Sequence, residues 1–190
     1  MKNEATGAIP ISMKKKPPDN PGSKTHKGIF LHASSVIVSG KALLFLGHSS
    51  SGKSTISRLL SERYPIIADD KVYICKNKNG DWSVCDGSDG FPLKQRYSPS
   101  AGRQKSYPLF AVLRIFKSKS MKIMPISPKE TCRYLMDAVF EIDIQRKQKD
   151  LKIMKQWFAL TAEISRKIKG WRLAFRKDLR ILGLIKEAFE

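Results

Sequence analysis

Gly47-His48-Ser49-Ser50-Ser51-Gly52-Lys53-Ser54 completes the pattern G-x-x-x-x-G-K-[ST], and both of its flanks fit a phosphate-binding loop. Residues 42–46 (Ala-Leu-Leu-Phe-Leu) are an apolar run short enough for a buried strand. Behind the loop, Ile56, Leu59 and Leu60 recur at helical spacing. Strand, glycine loop and helix together give the pattern a mechanism. Glycine lets the backbone curl so that successive N–H groups face phosphate oxygens, and the helix N-terminus adds its partial positive charge. Residues Gly47, His48, Ser49, Ser50, Ser51, Gly52, Lys53, Ser54 and Thr55 are therefore the expected nucleotide contacts. Lys53 is expected on the outer phosphates and Ser54 on Mg²⁺, so ATP and Mg²⁺ are the expected cofactors.

Working outward, residues 29–38 alternate toward β character, Ser39-Gly40 reads as a turn, and the chain returns through residues 42–46 as a hairpin. A helix is expected over residues 53–63, stopped by Pro65. Residues 65–70 read as a short strand ending in Asp69 and Asp70. Residues 72–75 and 82–85 flank Asn77-Lys78-Asn79-Gly80 as a second hairpin. Residues 86–107 are a long polar loop, with Arg96, Arg103 and Lys105 as candidate phosphate clamps. Strands are expected over 109–116 and 121–126. Ser127-Pro128-Lys129-Glu130 then carries the signature of a capped helix start. From there to the C-terminus the pattern reads as helical, broken near Asp143, Gly170 and Asp178. Trp157, Phe158 and Trp171 fit apolar helical faces and are expected in the core.

A triphosphate site by itself carries out no reaction. Asp69 and Asp70, placed at the end of a strand soon after the loop helix, can supply one carboxylate for Mg²⁺ and one for an acceptor hydroxyl's proton. Adjacent strand residues point to opposite faces, so the two would divide these roles. His32 lies on the strand ahead of the loop. Leu31-His32-Ala33-Ser34, the glycine loop, and Ala68-Asp69-Asp70-Lys71-Val72 together resemble the bacterial HPr kinase/phosphorylase family.

That resemblance implies an α/β fold: a phosphoenolpyruvate carboxykinase-like P-loop nucleotide-binding core with a mixed sheet, followed by a C-terminal helical region. It implies His32, Lys53 and Asp70 as catalytic residues, with Asp70 the base, and Ser54 and Asp69 at the metal. Residues 86–116 lack the family's glycine-rich signature. The C-terminal stretch looks like the stand-alone HPr-kinase-like kinases of peptide-modification clusters, including lasso-peptide clusters.

The chain has 190 residues and a formal charge of +19, with the basic excess greatest in its C-terminal part. Such a surface attracts acidic partners, but no nucleic-acid reader motif accompanies it. No apolar run is long enough to span a membrane, and no secretory signal is visible. Three cysteines without a C-x-x-C pair read as reduced thiols of a cytoplasmic protein. Residues 1–28, with four prolines and a lysine run, read as a disordered basic arm. Residues 29–126 form the expected kinase core, with 127–190 as helices packed on it.

The expected function is an ATP-dependent kinase acting on a serine hydroxyl of a peptide or small protein, with homo-oligomer formation left open. A kinase of a free hydroxy amino acid and an ATP-binding switch that engages an acidic partner are the alternatives.

Overall fold

In the computed structural model, residues 28–77, 79–85, 106–143 and 150–190 are described. The N-terminal arm, most of the 86–107 loop, Arg96, Arg103 and Lys105 lie outside them. Strand β1 (Gly28–Val38) returns through β2 (Lys41–Leu46) as the expected antiparallel hairpin, with Val38 paired to Lys41. Ser39 (φ 47°) and Gly40 (φ 75°) both sit in the left-handed region, as a two-residue turn matched to strand twist requires. Helix α1 (Lys53–Leu60) follows the glycine loop.

Strand β3 (Ile66–Lys76) is one continuous element, where two short strands were expected. Asp69 and Asp70 therefore lie inside a strand and not at its end. Its hairpin to β4 (Trp82–Cys85) is closed by Asn77, whose Oδ1 accepts from the N–H groups of Asn79 and Asp81, both at 2.9 Å.

Strands β5 (Ser106–Lys117) and β6 (Lys122–Ile126) lead to helix α2 (Pro128–Asp143). Its predicted capping box forms: Glu130 donates its N–H to Ser127 Oγ, and Ser127 donates its N–H to the Glu130 carboxylate. That hydrogen bond and the Ser127 hydroxyl hold the Glu130 pKa below its ordinary value. Helix α3 (Leu151–Lys167) starts on Asp150, which accepts from the Lys152 N–H at 2.8 Å, and helix α4 (Ile181–Phe189) closes the chain.

The segment between α3 and α4 departs from the helical expectation. Residues Lys169–Phe175 form strand β7, inserted between β5 and β6. The C-terminal part is thus woven into the sheet and does not merely pack on it. Gly170 makes the insertion possible, since a Cβ there would collide with the Thr131 side chain of α2. Trp171 consequently sits on a strand, edge-on to Phe189 at 5.9 Å. Trp157 packs on the core beside Phe140, as expected, whereas Phe158 is 60% exposed.

The seven strands run in the order β2-β1-β3-β4-β5-β7-β6, and β2 also pairs with β5. Pairings β2–β5 and β5–β7 are parallel and all others antiparallel, so the sheet is mixed. One face packs Leu44, Leu46, Leu31 and Val112 against Leu135 and Val139 of α2 and Ile164 of α3. The other packs Leu43, Phe45, Leu113 and Phe175 against α1 and α4. Each strand of this centre is buried on both sides, which is why β2 reads as a continuous apolar run. Cys75 is disulfide-bonded and Cys132 is free, so the expectation of reduced thiols fails at Cys75.

Leu113 on β5 is fully buried against both helices of its face. Leu113→Ala should lower unfolding stability by about 2–5 kcal/mol, as urea denaturation would measure. A change under about 1 kcal/mol would contradict this placement of the core.

Candidate nucleotide site

The geometry of the site follows from strand register. Leu46, the last residue of β2, pairs with Ala33 on β1, and Ala33 with Asp70 on β3. On its other edge Leu46 pairs with Arg114 on β5, and Arg114 with Arg172 on β7. One row, Asp70–Ala33–Leu46–Arg114–Arg172, thus crosses five strands at the root of the glycine loop. Paired residues in a sheet point to the same face.

The loop itself is curled. Ser50 (φ 65°) and Gly52 (φ 104°) take left-handed backbone conformations, and the Ser51 N–H donates to the His48 carbonyl at 3.0 Å. Gly47 is buried, with no room for a Cβ beside the Ser51 side chain and Ile115. A Cβ on Gly52 would lie 2.9 Å from the Phe175 ring and 3.6 Å from Lys117 Cε. Glycine is required at both positions for steric reasons. Gly52 begins α1 without a side-chain cap, and the first turn of the helix holds no acidic residue. Its leading N–H groups and dipole are therefore left for an anion.

Lys53 folds back over this loop. It is 7% exposed, and its Nζ donates to the carbonyls of Gly47 (2.6 Å) and His48 (3.2 Å). Burial pushes its pKa below 10.5, the charges of Glu141, Asp70 and Asp69 partly oppose that, and Arg114 adds to the lowering. Ser54 is exposed at the helix start, and Thr55 is half-buried. His48, Ser49 and Ser50 form the exposed rim of the loop, while Ser51 Oγ is buried without a hydrogen-bond partner among the described residues.

Facing the loop, His32 Nε2 stands 3.4 Å from Asp70 Oδ1. Asp70 carries φ 141°, a conformation L-residues rarely adopt, at a cost on the order of 1–3 kcal/mol. The twist breaks the strand's alternation, so Asp69 and Asp70 are both exposed instead of lying on opposite faces. The expected trio of His32, Lys53 and Asp70 is brought to one end of the sheet. Asp69 stands beside it.

Sequence patterns missed Glu141. It is the fourteenth residue of α2, and its carboxylate lies 3.4 Å from His32 Nδ1 and 3.0 Å from His48 Nδ1. One acid thus links the β1 histidine to the loop histidine. Nothing in its local sequence marks it, because the contact exists only once α2 crosses β1. Lys117 was missed for the same reason: it leans on Gly52 from the end of β5. Among the described residues, no cluster of three or more His, Cys, Asp or Glu could hold a metal ion.

The family model for the SynChlorMet cassette protein ScmC matches residues 21–190. The chain belongs to that family. Of solved structures, the HPr(Ser) kinase/phosphatase from Coxiella burnetii is similar over 83% of this chain and 91% of that chain, at 13% identity and a TM-score of 0.37. No curated protein matches in sequence. No described helix is long and apolar enough to cross a membrane.

Two outcomes follow for this ScmC-family chain. The folded state releases the Lys53 proton more readily than the unfolded chain, so the unfolded chain holds more protons just below pH 10.5. The residue's penalty on stability is therefore relieved as pH rises toward 10.5. In Lys53→Met that rise should flatten, as denaturation at stepped pH would show; parallel curves would contradict it. In ¹⁵N NMR, Glu141→Ala should change the ring-nitrogen signals of both His32 and His48, and a change in neither would sever Glu141 from them.

Proposed function

We propose that this chain is an ATP-dependent phosphotransferase of HPr-kinase-like type, acting on a serine hydroxyl of a peptide or small protein. The observation that carries it is a buried Lys53 bound, among the described residues, only to loop carbonyls, at an uncapped helix start that faces His32 and Asp70. A buried ammonium beside unfilled N–H groups favours a polyanion. The loop amides and Lys53 would bind the β- and γ-phosphates. Ser54 and Asp69, both exposed there, would hold Mg²⁺ together with phosphate oxygens, the mode this ion usually adopts. Mg²⁺ would supply neutralisation of charge on the departing phosphate.

In the transfer, the serine oxygen bonds to the γ-phosphorus, the bond from that phosphorus to the β-bridging oxygen breaks, and ADP leaves. Asp70 takes the hydroxyl proton. His32 braces Asp70 through Nε2, and Glu141 braces His32 through Nδ1, as positioning residues. Lys53 opposes the charge that spreads over the phosphoryl oxygens. The family's description as a cassette protein supports a partner drawn from the same cassette as the substrate.

Lys53→Ala should weaken MgATP binding about 10- to 100-fold by calorimetry, the range for a charged hydrogen-bond donor. Asp70→Asn should bind MgATP normally while transfer to a serine peptide falls about 10²- to 10⁴-fold. Undiminished transfer by Asp70→Asn would remove it as the base. Absence of any MgATP binding by the native chain would overturn the proposal, and ATP binding with no transfer to any peptide or free hydroxy amino acid would leave a nucleotide switch.

A further inference from the structure

Arg114 and Arg172 remain without a role in the transfer just described. Arg114 is only 6% exposed, yet no carboxylate approaches it within ion-pair distance among the described residues. Its neighbours are rings: Tyr134 at 4.8 Å and Phe116 at 5.6 Å from its guanidinium carbon. Arg172 stacks on the same Phe116 at 5.3 Å, and Glu130 approaches it at 3.6 Å. Glu130 meanwhile gives its other oxygen to Ser127. The Nε atoms of both arginines are buried and lack an acceptor among the described residues.

These two residues are direct neighbours on parallel strands, their backbones about 4.8 Å apart, and their like-charged side chains leave the same face of the sheet. Stacking orients each guanidinium, whose planar fork of N–H donors matches a planar carboxylate. An anion seated between them would satisfy both Nε donors and remove the repulsion.

We propose that Arg114 and Arg172 form a second anion subsite, beside the phosphate loop, that seats a carboxylate of the acceptor peptide. The word acceptor rests on the phosphotransferase proposal, whereas the subsite rests on the arginines alone. The row geometry selects the kind of substrate. Asp70, where the hydroxyl must sit, and Arg172 stand at opposite ends of the row, with Ala33, Leu46 and Arg114 between them. In free serine the hydroxyl and carboxylate are joined through only two carbons, whereas a peptide can reach from one end of the row to the other. The acceptor is therefore a peptide whose carboxylate, from an acidic side chain or the C-terminus, lies two or more residues from the serine.

The test uses the full chain with Mg²⁺ and a non-hydrolysable ATP analogue. Three serine peptides are titrated: one uncharged and amidated, one amidated with an aspartate three residues from the serine, and one with its only carboxylate at a C-terminus three residues away. Free serine forms a fourth arm. Binding is read by calorimetry and by the ¹⁵Nε–H signals of Arg114 and Arg172. At least one carboxylate peptide should bind about 10- to 100-fold more tightly than the uncharged one and move both signals. The arm that does so identifies the carboxylate's source.

Arg172→Gln, at a partly exposed position, should erase that preference while leaving affinity for the ATP analogue unchanged, and Arg114→Lys should weaken it. Equal binding of all three peptides would overturn the subsite. So would tighter binding of free serine, or movement of both arginine signals by the ATP analogue alone. Carboxylate-peptide binding by a native chain that binds no ATP analogue would uphold the subsite and dismiss phosphoryl transfer.

Discussion

A buried lysine whose only hydrogen-bond partners among the described residues are two backbone carbonyls is the constraint around which this molecule is arranged. Lys53 can occupy that place because the loop curls, and the loop curls because Ser50 and Gly52 enter left-handed conformations. The curl is in turn held from below. Phe175 fills the space that a side chain on Gly52 would need, and Ile115 does the same beneath Gly47. Both supports come from strands distant in sequence, β7 and β5. The loop's geometry is therefore a property of the assembled sheet.

The sheet also distributes charge. Along the row through Leu46, a carboxylate lies on one side of the loop and two guanidinium groups on the other. Buried apolar residues, Ala33 and Leu46, separate them, so the charges do not collapse onto each other. Ion pairing between Asp70 and Arg114 would neutralise both. Instead, Asp70 is held by His32 and, through it, by Glu141 of α2. Arg114 is held by Tyr134 of the same helix. One helix thus positions both Asp70 and Arg114.

Much was legible from local chemistry. The loop, its flanking strand and helix, the first hairpin, the β3–β4 turn and the capping box of α2 all depend on residues within a few positions of each other. Local patterns report such features well. The errors share a cause. Residues 169–175 carry apolar and basic groups that suit a helix face, and only the partners on β5 and β6 make them a strand. Asp69 and Asp70 seemed to end a strand because two acids usually do. Pairing with β1 carries the backbone through them, with a twist at Asp70 that no pattern of side chains announces.

The sequence by itself determined the glycine loop: glycines where no side chain fits, a lysine and a serine after them, and an apolar strand to hold them. Short-range sterics and backbone hydrogen bonding suffice for that. Only the tertiary structure decided which distant groups face the loop. Glu141, Lys117, Arg114 and Arg172 lie far from it along the chain, and sheet register alone brings them to it. Register is set by burial across the whole core, which no local stretch of residues encodes.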